Sequence, residues 1–234
     1  MKQNIQYWKY KSEDFLEEFK NYNNVMEKFL VQQYLNRKKI SIPNSEITNL
    51  DSNDLLKFSK EFYEQETFYP QSFRTSFFTQ IFSVFEYELK KICSIHHLEN
   101  KTDFSITDLK GDGEIEKAKL YLQKACKINF EALEPECTYL DTIRKIRNII
   151  IHHQGEIRQN HGDWSTIYKF IELKKNQIGF GNSAEYLDKD KFKELFDKDS
   201  VFNIEISNSD INEELITSIK TILKKIVLQL DLPE

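Results

Sequence analysis

The stretch QSFRTSFFTQIFSVFEYELKKICSIHH, residues 71–97, decides the fold class of this chain. At about 100° per residue, its large apolar side chains fall on one face of a single helix. That face carries Phe78, Ile81, Phe82, Phe85, Leu89 and Ile92. Arg74 falls on the same face at one end, and Glu86 lies at its margin. Such a face has to be covered by other elements, so the stretch favours a mainly helical fold.

Two helical segments are predicted before this stretch. The first covers about residues 13–38, with Ser12 as its N-cap and apolar residues at helical spacing behind it. Helical pattern resumes near Ser52. Pro70 is then expected to end or kink that helix at the preceding residue, because proline lacks the backbone N–H and restricts its neighbour.

Three helices are predicted after it, over about residues 114–128, 136–153 and 210–231. Pro135 is suited to the first position of the second one, and Gly155 is a stop signal just beyond its end. Ser209 or Asp210 caps the last helix. Few glycines and prolines, 6 and 4, leave little irregular backbone between these segments.

Between the last two helices the pattern changes. The stretch STIYKFIELKKNQIGFG, residues 165–181, places β-branched and aromatic residues around a polar KKNQ and predicts a β-hairpin. A short helix is predicted over 188–198 and a strand over 201–206. We therefore expect one domain, 1–234: a helical core at about 12–155, a small α/β insertion at about 163–206, and a C-terminal helix at about 210–231.

Composition limits the function classes. The net charge is −5 and the pI is about 5.7, which argues against coating nucleic acid through bulk positive charge but not against a local basic site. The first residues lack the apolar centre of a signal peptide, and apolar runs are shorter than the about 20 residues of a membrane span. We expect a soluble, cytoplasmic protein that has no contact with a membrane.

Cysteine and histidine spacings predict neither a metal nor a cofactor. Cys93, Cys126 and Cys137 are an odd number without C-x-x-C spacing, so neither a disulfide framework nor a thiolate metal site is expected. His152 and His153 are adjacent and point apart on a helix, and no H-E-x-x-H pair occurs. Gly-rich phosphate loops and nucleophile elbows are also missing from the sequence.

The stretch TIRKIRNIIIHHQGEI, residues 142–157, is unusual for a helical core. On the helical wheel Arg147 falls inside the apolar arc bounded by Ile143, Ile150 and Ile151. An unpaired buried guanidinium is costly, so Arg147 must have a carboxylate partner, reach an interface, or face a cavity that receives an anion. Glu86 is the preferred partner and Glu88 the second choice.

Two interpretations of Arg147 follow. In the structural one, an Arg147–Glu86 pair locks two helices together. In the functional one, Arg147 binds a phosphate group and His152 transfers protons. The two side chains are about 140° apart around one helix axis. Either the last turn unwinds, or a second copy of the chain supplies the missing group, as a symmetric dimer would.

The segment Arg147-Asn148-Ile149-Ile150-Ile151-His152 resembles the R-N-x-x-x-H motif of the HEPN superfamily. The stretch SFFTQIFSVFEYELKKIC is similar to the earlier core helix of such proteins, with Glu86 at their acidic position. The resemblance covers about residues 73–155. It implies an antiparallel HEPN-like helical bundle that dimerises through the motif helix.

For function, the resemblance implies a metal-independent endoribonuclease, of toxin or anti-phage defence type, without cofactors. Arg147, Asn148, His152 and Glu86 would be its catalytic residues, and RNA its substrate. Other residues near the motif are candidates for substrate binding: His153, Arg144 and His161. An antitoxin or regulatory protein is a further expected partner. Some HEPN proteins have lost catalysis, so an inactive module that binds a protein or a nucleotide is the alternative.

Overall fold

The computed structural model describes residues 2–40, 60–61, 63–111, 113–181 and 201–230 of the 234. Its helices are α1 (Lys2–Ile40), α2 (Tyr69–Asn100), α3 (Glu114–Cys126), α4 (Glu134–His153), α5 (Trp164–Leu173) and α6 (Asp210–Leu230). Its strands are β1 (Glu156–Arg158), β2 (Ile178–Gly181) and β3 (Val201–Ile206). Short 3-10 turns cover Ile106–Asp108 and Glu131–Leu133.

Helix α2 is the central element of the bundle, because α1, α3, α4 and α6 all pack on it. Its predicted face is the core: Phe78, Ile81 and Phe82 are fully buried, and Phe85, Leu89 and Ile92 nearly so. The expected mainly helical bundle with a small β insertion is therefore confirmed. None of the described helices is both long and apolar enough to cross a membrane.

The predicted start of α1 is wrong. The helix begins at Lys2, and Ser12 is a buried residue inside it, not an N-cap. The reason is a tertiary contact: Trp8 is buried and its indole Nε1 donates a 2.5 Å hydrogen bond to Glu88 of α2. This contact stabilises the helical turn that precedes Ser12, although Ser12 is a residue type that commonly caps helices.

Helix α1 is also fixed to α2 near its middle. Both Nε and Nη2 of Arg74 donate to the carboxylate of Glu27 at 2.8 Å, and Nη1 donates to the carbonyl oxygen of Ser207 at 2.5 Å. This two-pronged ion pair explains why a guanidinium is tolerated on the apolar face of α2.

A π-helical turn, Glu64–Phe68, lies directly before α2, and Pro70 is in the first turn of α2. The expected interruption at Pro70 is thus present, as a change of helix type. The predicted helical pattern between Ser52 and residue 59 lies outside the described residues.

Helix α4 ends where the sequence predicts. Gln154 adopts a left-handed conformation with φ 53°, and Gly155 follows with φ 87°. The N–H of Gly155 donates to the carbonyl of Ile149 at 3.2 Å, and its carbonyl accepts from Ile204 of β3 at 3.0 Å. A Cβ on residue 155 would lie 3.3 Å from the Ile204 carbonyl oxygen, so glycine suits both the turn and the sheet contact.

The three strands form one antiparallel sheet in the order β1-β3-β2. The strand predicted over 201–206 is β3, whereas the hairpin predicted within 165–181 is wrong, because the strand in its second half pairs with β3. Residues Trp164–Leu173 form helix α5, which buries Ile167 and Ile171 one turn apart, and only Ile178–Gly181 is a strand. The short helix predicted over 188–198 lies outside the described residues.

Candidate active site at the end of helix α4

Arg147 lies on α4 with its side chain 20% exposed. Its Nη1 donates to Oδ1 of Asn148 at 3.2 Å, and its Nη2 is 3.9 Å from Oε2 of Glu86. Its Nε is buried and has no hydrogen-bond partner. A guanidinium has five N–H donors, so most of the hydrogen-bonding capacity of Arg147 is unused within the described part of the chain.

Glu86 is the carboxylate near Arg147, as the helical wheel of α2 predicted. At 3.9 Å it supplies charge at the limit of ion-pair distance and no short hydrogen bond. Glu88, the second choice, faces α1 instead and accepts the hydrogen bond from Trp8. Its burial raises its pKa above the usual value for glutamate.

The predicted apolar arc around Arg147 is partly wrong. Ile143 and Ile146 are fully buried, but Ile151 is 45% exposed and Ile149 takes its place in the core. The buried side of α4 is rotated because β1 and α5 pack against it in addition to α2 and α6. Arg147 therefore lies at the margin of the core, next to solvent, and not enclosed among isoleucines.

His152 and His153 are both exposed in the last turn of α4. The imidazole of His152 forms no hydrogen bond or ion pair with another described residue. Arg147 and His152 point about 140° apart on the regular helix, because α4 does not unwind before His153. One chain therefore does not bring this arginine and this histidine to one atom.

The structure brings His153 and His161 together, with ring centroids 6.3 Å apart. Nδ1 of His161 accepts the backbone N–H of Asp163 at 3.1 Å, which fixes this ring in the loop after β1. The two imidazoles line a cleft of about 320 Å³. Two further charged residues of the cleft, Glu156 and Arg158, were not predicted from the sequence.

The missed residues share one local pattern. Glu156 and Arg158 alternate with the buried Ile157 on strand β1, so both side chains lie on its exposed face. The alternation E-I-R was the available signal. It is only three residues long, too short to identify a strand before its partner β3 is known.

Arg144 lies one turn before Arg147, but its guanidinium is bound by Asp141, from Nη2 at 2.7 Å and from Nε at 3.2 Å. It lines a second cavity, of about 440 Å³, together with Cys137. A role of Arg144 in substrate binding stays a prediction. A substrate would have to compete with Asp141 for the guanidinium.

Other chemistries find little support among the described residues. No group of three or more His, Cys, Asp or Glu side chains there is arranged to hold a metal ion. All three cysteines are free thiols. Burial raises the pKa of Cys93 and of Cys126 to about 12, so neither thiol is a ready nucleophile near neutral pH.

The chain matches no protein-family model, and neither the curated proteins nor the solved structures yield a similar protein.

Proposed function

We propose that the chain is a metal-independent endoribonuclease of HEPN type that acts as a toxin or anti-phage defence effector. The observation that carries the proposal is the state of Arg147. Its guanidinium is partly exposed, makes one 3.2 Å hydrogen bond and one loose contact to a carboxylate, and has a buried Nε without a partner. A phosphate group, with several acceptor oxygens, would satisfy these donors.

The proposed reaction needs only side chains of the motif. His152 removes the proton of the ribose 2′-hydroxyl, the 2′-oxygen attacks phosphorus, and the bond to the 5′-oxygen breaks. The protonated imidazole of His152 then donates a proton to the 5′-oxygen. The products are a 2′,3′-cyclic phosphate and a 5′-hydroxyl. Arg147 stabilises the charge that develops on the phosphorus oxygens. An unpaired RNA loop fits best, since the attacking oxygen must line up with the scissile bond.

Two residues would position Arg147. Asn148 accepts a hydrogen bond from Nη1 of Arg147, and Glu86 lies on the side of Nη2. Both contacts orient the guanidinium without occupying all of its donors. In this role neither residue needs to touch the RNA.

A homodimer through α4 would complete the site. Because Arg147 and His152 diverge on one helix, a second copy of α4 has to supply the missing side chain. The exposed Ile151, one turn beyond Arg147, gives this face an apolar residue that a second copy would cover. As a toxin, such a dimer would be restrained by an antitoxin or regulatory protein.

The alternative is a catalytically inactive HEPN-like module that binds a protein or a nucleotide. The observation that favours it is the isolation of His152, which makes no hydrogen bond to any described residue. A purely structural bundle, however, has no need of an exposed histidine on the same helix as an incompletely bonded arginine.

Incubation of the purified protein with single-stranded RNA in excess EDTA tests the proposal. We expect cleavage that persists in EDTA and leaves cyclic phosphate ends, because no metal takes part in the reaction. The 5′-hydroxyl ends are identified by direct labelling with a polynucleotide kinase, and the cyclic phosphate ends by their resistance to ligation at the 3′ side. A His152→Ala preparation, purified in parallel, controls for contaminating nuclease. Failure of the wild-type protein to cleave RNA under these conditions, at any protein concentration at which it dimerises, would reject the proposal.

A further inference from the structure

The cleft beyond the end of α4 combines two charged side chains with two imidazoles. Glu156 and Arg158 extend from the same exposed face of β1, about 6.6 Å apart along the strand. Within the described part of the chain, neither side chain forms an ion pair. The rings of His153 and His161 also line the cleft, and the backbone carbonyl of Arg158 accepts the backbone N–H of His161 at 3.0 Å.

This set suits a planar, uncharged and polar ligand better than a free anion. The carboxylate of Glu156 would repel a phosphate, and His153 lies at the C-terminal end of α4, where the helix dipole also disfavours an anion. A flat ring, in contrast, is able to stack on an imidazole or on the guanidinium plane while its edge meets charged groups. The cleft volume of about 320 Å³ accommodates one such ring system.

Guanine presents the edges that match. Its N1–H and N2–H groups are adjacent donors that one carboxylate accepts together, and its O6 and N7 are adjacent acceptors that one guanidinium binds. Adenine and cytosine each place a ring-nitrogen acceptor toward a carboxylate, and uracil offers it a single ring N–H. The spacing of Glu156 and Arg158 along β1 allows one base to meet both.

We propose that the cleft formed by His153, Glu156, Arg158 and His161 is a nucleobase subsite that prefers an unpaired guanine. The choice of RNA as the source of this guanine rests on the proposed function, whereas the base preference rests on the cleft alone. A free guanine nucleotide presents the same edges and has to be distinguished from RNA by experiment.

Fluorescence anisotropy with short labelled oligothymidylates that carry one central guanine or one central adenine tests the subsite. The 2′-deoxy backbone prevents cleavage, so binding is measured separately from catalysis. We expect the wild-type protein to bind the guanine oligonucleotide at least about fivefold more tightly than the adenine one. Glu156→Gln and Arg158→Met should each reduce this ratio toward one. Lys124→Met is the matched control, because it removes one positive charge from an exposed position of α3 that does not line the cleft.

Equal affinity of the wild-type protein for the two oligonucleotides would overturn the subsite, as would an unchanged ratio in both variants. The side chains of Glu156 and Arg158 are both exposed, and unfolding curves verify that each variant is folded.

Competition with guanosine monophosphate separates the two sources of the base. Weak competition supports RNA, whereas stronger binding of the mononucleotide than of the oligonucleotide rejects RNA as the source. A preference for guanine without RNA cleavage in EDTA would reject the nuclease proposal and retain the subsite. RNA cleavage without a preference for guanine would retain the nuclease proposal and reject the subsite.

Discussion

Arg147→Met is expected to slow RNA cleavage by about 10²–10³-fold while the free energy of unfolding stays unchanged or rises. The loss of rate follows because methionine cannot stabilise charge on the phosphorus oxygens. Stability should not fall, because the guanidinium has a buried Nε without a partner and only a 3.9 Å contact to Glu86. Glu86 is 28% exposed, so water is able to solvate its carboxylate after the substitution. Removing an incompletely bonded cation from a functional site often relieves strain on the fold.

Cleavage assays in EDTA and urea unfolding of the same preparation give both quantities. Arg74→Met is the matched control, since that guanidinium donates two 2.8 Å hydrogen bonds to Glu27 and a third bond to a backbone carbonyl. For this variant we expect the opposite result. The free energy of unfolding falls, because a partly buried and well-bonded ion pair is broken, and the folded molecules keep their activity. If Arg147→Met instead lost about 3 kcal/mol or more of stability and cleaved RNA normally when folded, Arg147 would be a structural residue.

His152→Ala is expected to lower the cleavage rate by about 10²–10⁴-fold, the usual contribution of a general acid or base. Folding should not change, because the imidazole is exposed and bonds to no described residue. Initial rates at saturating RNA, with thermal unfolding as the check on structure, measure this effect.

His97→Ala is the control for the loss of an imidazole. His97 lies near the end of a different helix, α2, where its Nδ1 is 2.7 Å from the hydroxyl of Thr102. Its substitution should affect stability and not the rate per folded molecule. Equal losses of rate in the two variants, or wild-type rates for His152→Ala, would remove His152 from the mechanism.

The helices that the sequence predicted best have an apolar face that continues over several turns. This face consists mainly of aromatic residues in helix α2 and of isoleucines and leucines in helix α6. Nine residues of each helix are buried in the bundle. The start of α1 was missed because Trp8 is held by Glu88, a residue 80 positions away. Local capping signals carry no information on such a contact.

The structure of the β insertion also depends on contacts between residues that are distant in sequence. Trp164 and Tyr168 of α5 stack on Phe180 of β2, at centroid distances of 5.3 and 6.2 Å. In sequence, these aromatic residues are as typical of a strand as of a helix. Their true environment depends on β3, which pairs with both β1 and β2 and lies beyond residue 200.

The site was predicted as far as single-helix geometry allows. The wheel of α2 identified Glu86 as the carboxylate that meets Arg147, and the positions near the motif identified His153 and His161, whose rings prove to be neighbours. The wheel of α4 did not predict the exposure of Arg147, because that depends on how β1 and α5 rotate the buried side of the helix. The role of each of these residues in cleavage stays a prediction.

In the proposed dimer, Arg147 and His152 act on one phosphate group and are supplied by different copies of the chain. This arrangement is tested by mixing equal amounts of Arg147→Met and His152→Ala protein, followed by dissociation and reassociation. Random pairing makes half of the dimers mixed, each with one complete site of two, so we predict recovery of about a quarter of the wild-type cleavage rate in EDTA. If the mixture cleaves RNA no faster than the separate variants, the two residues do not act across a dimer interface.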